Sequence, residues 1–237
     1  MEDKIRVAIL DDHQGIIDGY LYRLGTAQDI TVVATVLYGE DLEKTLAKHP
    51  IDVLLLDVQI PTSPTNPNPY PILYIIPRLL EIYPNLVVLV ISMHTQRTLI
   101  NAVMEAGASG YIVKDDQATI RELPSVIRTV AGGSIYMSQY AYQELKKSKT
   151  GALLQPLSPR QLEALSMCAG FPDASTAELA QKMNIANSTL RNLLSGAYLK
   201  LNVRSKAAAI ARARQMGLIT PENPTSDVKT YRGSSYK

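Results

Sequence analysis

The stretch Ile5-Arg6-Val7-Ala8-Ile9-Leu10-Asp11-Asp12 is a short apolar run that ends in two carboxylates. A run of this length, dense in Val, Ile and Leu, reads as a strand buried on both faces. Ile16 to Leu24 follows, with its apolar residues spaced along one side of a helix. The pattern then repeats. Strand-like runs at 31–36, 52–56, 86–91 and 110–113 alternate with helix-like segments near 40–48, 72–83, 95–106 and 117–131. Five strands alternating with five helices predict an α/β unit, a doubly wound five-stranded parallel sheet with helices on both faces.

Working outward, Gly132-Gly133 closes this unit, and a polar helical segment, Gln139 to Lys149, leads through Gly151 to Pro156. From Ser158 onward only helical patterns occur, at 159–169, 175–182, 187–200 and 205–216. The expected organisation is a first domain over 1–131, a linker with a helical segment over 132–155, a smaller all-α domain over 156–220 and a flexible tail over 221–237. The tail is polar and has little to bury. A length of 237 residues suits two ordinary domains.

Composition excludes some classes. The longest apolar runs fall far short of the roughly 20 residues that cross a bilayer, and Met1 to Lys4 lacks the features of a secretory signal. A cytoplasmic protein without a membrane partner is expected. The single cysteine, Cys168, can form no internal disulfide and reads as a buried thiol. Charge is uneven: residues 1–150 carry 13 basic and 17 acidic side chains, and residues 151–237 carry 11 and 5. The positive excess of the C-terminal part suits a nucleic-acid partner.

In open parallel sheets, ligands bind beyond the carboxyl ends of the strands. Asp11 and Asp12 follow the first strand, Asp57 ends the third, Ser92 ends the fourth and Lys114 follows the fifth. Three carboxylates gathered there repel one another, and a hard, oxygen-seeking cation such as Mg²⁺ would offset the repulsion. Asp12, Asp57 and the carbonyl of Gln59 suit direct ligation, with Asp11 acting through water. The Ser92 hydroxyl and the Lys114 ammonium could hold the oxygens of a phosphoryl group on Asp57. This is phosphoryl transfer with Asp57 as nucleophile. His13 is a poor ligand for Mg²⁺ and reads as a helix-entry residue. His94 borders the site, with a solvent-exposed loop histidine as the plainer alternative.

Asp11-Asp12, Asp57, Ser92 and Tyr111-Ile112-Val113-Lys114 together resemble the receiver domain of two-component response regulators, over about residues 4–131. That resemblance implies a flavodoxin-like fold and a histidine kinase as phosphoryl donor. It also implies that Ser92 and the ring of Tyr111 move toward phosphorylated Asp57. A static Tyr111 with its hydroxyl at the surface is the other reading of that residue. One departure stands beside the site. Pro61-Thr62-Ser63-Pro64-Thr65-Asn66-Pro67-Asn68-Pro69-Tyr70-Pro71 carries five prolines and no glycine, and it is longer than the usual loop. It predicts a stiff, surface-exposed stretch of polyproline II, either a tolerated insertion or a lid or kinase-docking element. Pro77 predicts a kink or a late start in the third helix.

In the C-terminal part Ser158 can cap a helix with Pro159 at its first position. Ser175 to Met183, Asn184 to Asn187 and Ser188 to Ser195 then read as helix, turn and second helix. With Leu157 to Leu165 and Lys200 to Lys206, this resembles a LuxR-type helix-turn-helix domain, so the whole chain is similar to NarL/FixJ-type regulators. Helical spacing turns Leu190, Leu194, Ala197, Tyr198 and Leu201 toward the core. Thr189, Arg191, Asn192 and Ser195 are left outward to reach base edges, with Lys182, Arg204 and Lys206 for phosphates. Family members often have histidine at Leu193 and a polar residue at Gly196. Both departures count against strong DNA affinity.

The sequence therefore predicts a regulator rather than an enzyme. A sensor histidine kinase phosphorylates Asp57, and a homodimer then occupies double-stranded DNA to control transcription. Two rival readings direct the switched helical domain to a protein partner, or make the chain a small Mg²⁺-dependent phosphatase.

Overall fold

The computed structural model describes residues 4–146 and 157–221. The first part runs β1 (Ile5–Leu10), α1 (Gln14–Leu24), β2 (Ile30–Val36), α2 (Leu42–Lys48), β3 (Val53–Leu56), β4 (Pro61–Ser63), β5 (Asn66–Pro69), α3 (Ile72–Ile82), β6 (Val87–Ser92), α4 (Arg97–Glu105), β7 (Gly110–Val113), α5 (Gln117–Arg121), α6 (Leu123–Ala131), β8 (Tyr136–Met137) and α7 (Gln139–Lys146). The second part is α8 (Pro159–Gly170), α9 (Thr176–Lys182), α10 (Asn187–Leu201) and α11 (Lys206–Gln215). Residues 147–155 of the expected linker, Pro156 at the start of the expected helical domain and 222–237 of the expected tail lie outside the described residues. Among the described residues no helix is long and apolar enough to cross a membrane.

The main sheet is parallel throughout, in the order β2-β1-β3-β6-β7-β8. The order reverses at β1, which opens a crevice at the carboxyl ends of β1 and β3. The sheet has six strands where the sequence predicts five, because Tyr136 and Met137 return beside Gly110 and Tyr111. Two residues are too few to show a period. The helix expected over 117–131 is two helices that part at Glu122, where Pro124 lies in the first turn of α6. α3 instead starts early and runs through Pro77. The lost backbone bond is tolerated because Ile72, Ile76 and Leu79 are fully buried.

Alternation along the strands gives the sheet two faces. Val7, Ile9, Val53, Leu55, Leu89, Ile91 and Ile112 pack with Ile17 and Leu24 of α1 and with Leu123 and Ile127 of α6. Ala8, Leu10, Leu54, Leu56, Val88 and Val90 face the other way, and their apolar cluster continues through α3 and α4 into α8 to α11. α8 lies between the two parts, and every residue from Gln161 to Gly170 is buried.

The proline-rich segment corrects the expectation of an exposed polyproline stretch. It is the antiparallel hairpin of β4 and β5, with Thr62, Ser63, Pro69 and Tyr70 buried. Its prolines cannot donate to a ladder, so side chains supply the bonds. Thr62 Oγ1 donates to the Asn68 carbonyl at 2.9 Å, and Asn68 N–H donates to Asn66 Oδ1 at 3.2 Å. Tyr70 anchors the base. Its N–H donates to the Ile60 carbonyl at 2.8 Å, and its ring lies so close over Gly39 that a Cβ there would fall 2.1 Å from the ring.

Candidate functional site

The turns beyond β1, β3, β6 and β7 bring Asp11, Asp57, Ser92 and Lys114 into one pocket. Asp11 and Asp57 are 2% and 5% exposed and Ser92 is fully buried. Lys114 Nζ stands 2.6 Å from Asp11 Oδ2 and 2.9 Å from Asp57 Oδ2. Burial raises the pKa of Asp57; Lys114 opposes the rise and Asp11 adds to it. Burial also works against the Lys114 ammonium, but Asp57 and Asp11 outweigh it and hold the pKa of Lys114 up. Asp57 Oδ1 accepts from the Gln59 N–H at 3.2 Å, which sets Gln59 beside the nucleophile.

Asp12 sits at the mouth of the pocket. Its Oδ1 is buried and has no hydrogen bond, although His13 Nδ1 lies 2.8 Å away. Ligand atoms of Asp11, Asp12 and His13 fall within 4.8 Å of one another. A buried carboxylate oxygen whose near neighbour is only an imidazole nitrogen, beside a second carboxylate, fits a hard cation. His13 occupies the N-cap position of α1, and its N–H donates to Asp11 Oδ1 at 2.9 Å.

Tyr111 is fully buried and its hydroxyl donates to the His94 carbonyl at 2.8 Å, so the phenol is not at the surface. Burial raises its pKa. The N–H of His94 donates to Ser92 Oγ at 3.0 Å, which ties Ser92, His94 and Tyr111 together. His94 is not an exposed loop residue. It is half-buried, and its Nε2 is buried without a hydrogen bond. Sequence reasoning missed Ser138, whose buried hydroxyl accepts from the Val113 N–H at 3.1 Å and whose N–H donates to the Tyr111 carbonyl at 3.0 Å. A lone serine beyond the last helix carries no signal in the sequence.

In the helical part, Ser158 and Gln161 form a capping box on α8, and Ser175 and Glu178 form one on α9. Asn184, in the turn between α9 and α10, takes a left-handed conformation at φ 52°. On α10, Leu190, Leu194, Ala197 and Leu201 are buried and Tyr198 is half-buried. Thr189, Arg191, Asn192 and Ser195 are exposed on the outer side. Gly196 faces inward: a Cβ there would fall 2.6 Å from Gln161 Nε2, so the glycine makes room for the capping side chain of α8. Leu193 is half-buried against the core. Arg204 is exposed. Lys182 lies 4.7 Å over the Phe171 ring, and Lys206 donates to the Pro172 carbonyl at 2.7 Å, so these two ammonium groups are engaged within the domain.

Comparison with known proteins agrees with both halves. The response regulator receiver domain family matches residues 7–128, and the luxR family of bacterial regulatory proteins matches residues 155–213. The transcriptional regulatory protein MctR of Rhizobium johnstonii is 29% identical, over 92% of this chain and 96% of its own length. The response regulator UvrY of Escherichia coli is 26% identical, over 94% and 99%. Among solved structures, RcsB of Salmonella enterica serovar Typhimurium, bound to promoter rprA with a phosphomimetic, shares the fold with a TM-score of 0.61. It is 21% identical over 89% of this chain and 98% of RcsB. The chain belongs to the NarL/FixJ-type response regulators, with a receiver domain followed by a LuxR-type domain.

Proposed function

We propose that a sensor histidine kinase transfers a phosphoryl group to Asp57 and that the phosphorylated chain, paired with a second copy, controls transcription from double-stranded DNA. The observation that carries this reading is the pairing, in one chain, of a buried carboxylate held by Lys114 with an outward row of polar side chains on α10. In the transfer, an Asp57 carboxylate oxygen attacks phosphorus while the bond to the donor's imidazole nitrogen breaks, and the imidazole leaves with its electron pair. Mg²⁺, when bound, neutralises charge on the phosphoryl oxygens. Asp11, Asp12, Asp57 and the Gln59 carbonyl would hold it. Ser92 and Lys114 meet the remaining phosphoryl oxygens, and Lys114 must first give up one of its two carboxylates.

Thr189, Arg191, Asn192 and Ser195 read base edges, and Arg204 meets a phosphate. Lys182 and Lys206 join it only if they leave their present partners. The receiver spans about 1–131, with Tyr136 and Met137 adding the edge strand of its sheet, and the DNA-binding domain about 156–220, in a cytoplasmic protein. The deciding experiment is selection of genomic DNA fragments by the protein with and without acetyl phosphate and Mg²⁺, with Asp57→Asn as control. A motif enriched by the donor only when Asp57 is present is expected. Enrichment indifferent to donor and substitution would leave DNA binding and remove the switch. Arg191→Ala should weaken the selected motif by about 1–3 kcal/mol and random DNA hardly at all.

A further inference from the structure

The two parts of the chain enclose a cleft of about 1090 Å³ that shares no residue with the phosphorylation pocket. Side chains of α3 line it on the receiver side and side chains of α8 on the helical side, and Tyr74 of α3 ties the two together by donating its hydroxyl to the Lys182 carbonyl at 2.6 Å. Ile75 and Met167 give the cleft buried apolar surface. Ile82, 53% exposed, adds an apolar side chain that is open to solvent. Small ligands favour such places, at domain interfaces where apolar walls meet a few convergent polar groups.

The cations of this lining already have partners within the protein. Lys44 Nζ lies 3.3 Å from Asp41 Oδ1, Arg78 Nη1 donates to the Tyr74 hydroxyl at 3.2 Å, Arg160 Nη1 donates to Glu163 Oε2 at 2.9 Å, and Lys182 lies over the Phe171 ring. The carboxylates are less well matched. Glu43 and Glu163 each share a cation, at 3.6 and 2.9 Å, whereas Glu40 and Glu81 have neither an ion pair nor a hydrogen bond among the described residues. Glu163 stands out, because its side chain is 10% exposed while that of Arg160 is 65% exposed. Burial raises the pKa of Glu163; Arg160 opposes the rise and Glu81 of α3 adds to it. Burial likewise raises the pKa of the Tyr70 phenol, and Glu43 and Glu40 add to that rise against Arg78. Both groups therefore feel negative neighbours across the cleft.

We propose that this cleft binds a small organic amine, with its ammonium group held by Glu163 and Glu81 and its aliphatic or aromatic body against Ile75, Ile82 and Met167. An ammonium offsets the repulsion between the two carboxylates and forms a charge-assisted hydrogen bond in a sheltered place. Arg160 need not leave. It is held by Glu163 Oε2, and a carboxylate has acceptor sites for further donors. An anion would meet carboxylates whose balancing cations are engaged, and a neutral apolar molecule would leave the two glutamates as they are. The site depends on neither phosphoryl transfer nor DNA.

The test uses the full chain, with tyramine and cadaverine as probes and para-ethylphenol as a probe that has the body of tyramine without its ammonium. Titration calorimetry should show each amine binding saturably with a Kd of about 1 mM or tighter, and para-ethylphenol should bind about tenfold or more weakly. Glu163→Gln removes the buried charge and keeps the size of the side chain. Ile82→Lys, at an exposed position, brings an ammonium of its own to the cleft. Both are expected to weaken amine binding by about tenfold or more. Glu105→Gln removes an exposed carboxylate of α4 outside the cleft and should leave the binding unchanged. Melting curves establish that each variant is folded, and Ile82→Lys decides alone if Glu163→Gln is not. No saturable binding of either amine to the parent overturns the site. Equal binding by the parent and the folded variants places the amines elsewhere on the surface and overturns it as well. Para-ethylphenol binding as tightly as tyramine overturns the amine as ligand class.

Discussion

The two faces of the receiver sheet are built from the same strands and do different work. Toward α1 and α6 the core closes on itself, with Ile9, Leu55 and Ile112 covered by Ile17 and Ile127. Toward α3 and α4 the core built on Leu10, Leu56 and Val90 runs on into the helical domain. The pocket sits at the strand ends between them. The chain leaving Asp12 enters α1, and the chain leaving Lys114 enters α5, both on the closed face. The chain leaving Asp57 enters the hairpin, and the chain leaving Ser92 enters α4, both on the shared face. The pocket is thus bounded by two strand ends whose chains join the closed core and two whose chains join the shared core.

The sharpest break of this comparison is Asp57→Asn, which should abolish phosphoryl uptake from acetyl phosphate by intact mass and every donor-dependent change in the helical domain. Uptake at another residue with a normal response would place the phosphoryl acceptor elsewhere. Next in size is Lys114→Met. It leaves two buried carboxylates, Asp11 and Asp57, without their shared cation, and removing one partner of a buried ion pair costs about 3–5 kcal/mol. Urea unfolding in a chelating buffer should show that loss. Added Mg²⁺ should restore a good part of it by offsetting the same charges, and a variant indifferent to Mg²⁺ would speak against a cation among these carboxylates.

Two cavity variants compare the faces directly. Ile127→Ala and Ile75→Ala each delete a buried side chain at about 2–5 kcal/mol. Ile127 belongs to the closed face, so its loss should lower the unfolding midpoint and leave the scattering radius alone. Ile75 lines the cleft between the domains, of about 1090 Å³, alongside Met167 of α8, so its loss should also extend the molecule. Equal radii for the two variants would mean that the faces do not differ in this way.

The closed face and the pocket were legible in the sequence; the shared face was not. Strand periodicity and the polar residue ending each strand suffice to gather Asp11, Asp12, Asp57, Ser92 and Lys114, because a parallel sheet places all its strand ends along one edge. The hairpin defeated local reasoning. Its prolines argue for an extended, unpaired stretch, and the bonds that fold it come from Thr62, Asn66 and Asn68 to partners that include Gly170, far along the chain. Gly196 misled for a related reason: read against a family pattern it is a gap on the DNA side, whereas in the fold it is space for Gln161. Tertiary contacts assign these residues their roles, and no window of sequence contains them.

The smallest expected effect concerns His94, on the loop from the pocket to the shared face. Burial, and then the nearby charge of Lys114, lower the pKa of its imidazole below the ordinary 6.5. The unfolded chain therefore takes up a proton near the ordinary value, while the folded chain takes it up only at lower pH. Between those values the unfolded state binds more protons, so stability falls as pH drops from about 6.5 toward the folded value, and no cost arises above that range. A protonated ring would sit half-buried beside Lys114, on the residue whose carbonyl holds the Tyr111 hydroxyl. Acid should for that reason loosen the tie between pocket and α4 before it loosens α1 or α6. Urea midpoints at about pH 7.5 and about pH 5.5 should differ less in His94→Asn than in the parent, with the difference concentrated in hydrogen exchange of α4. An equal acid loss in both proteins would place the sensitive groups on the other side of the sheet.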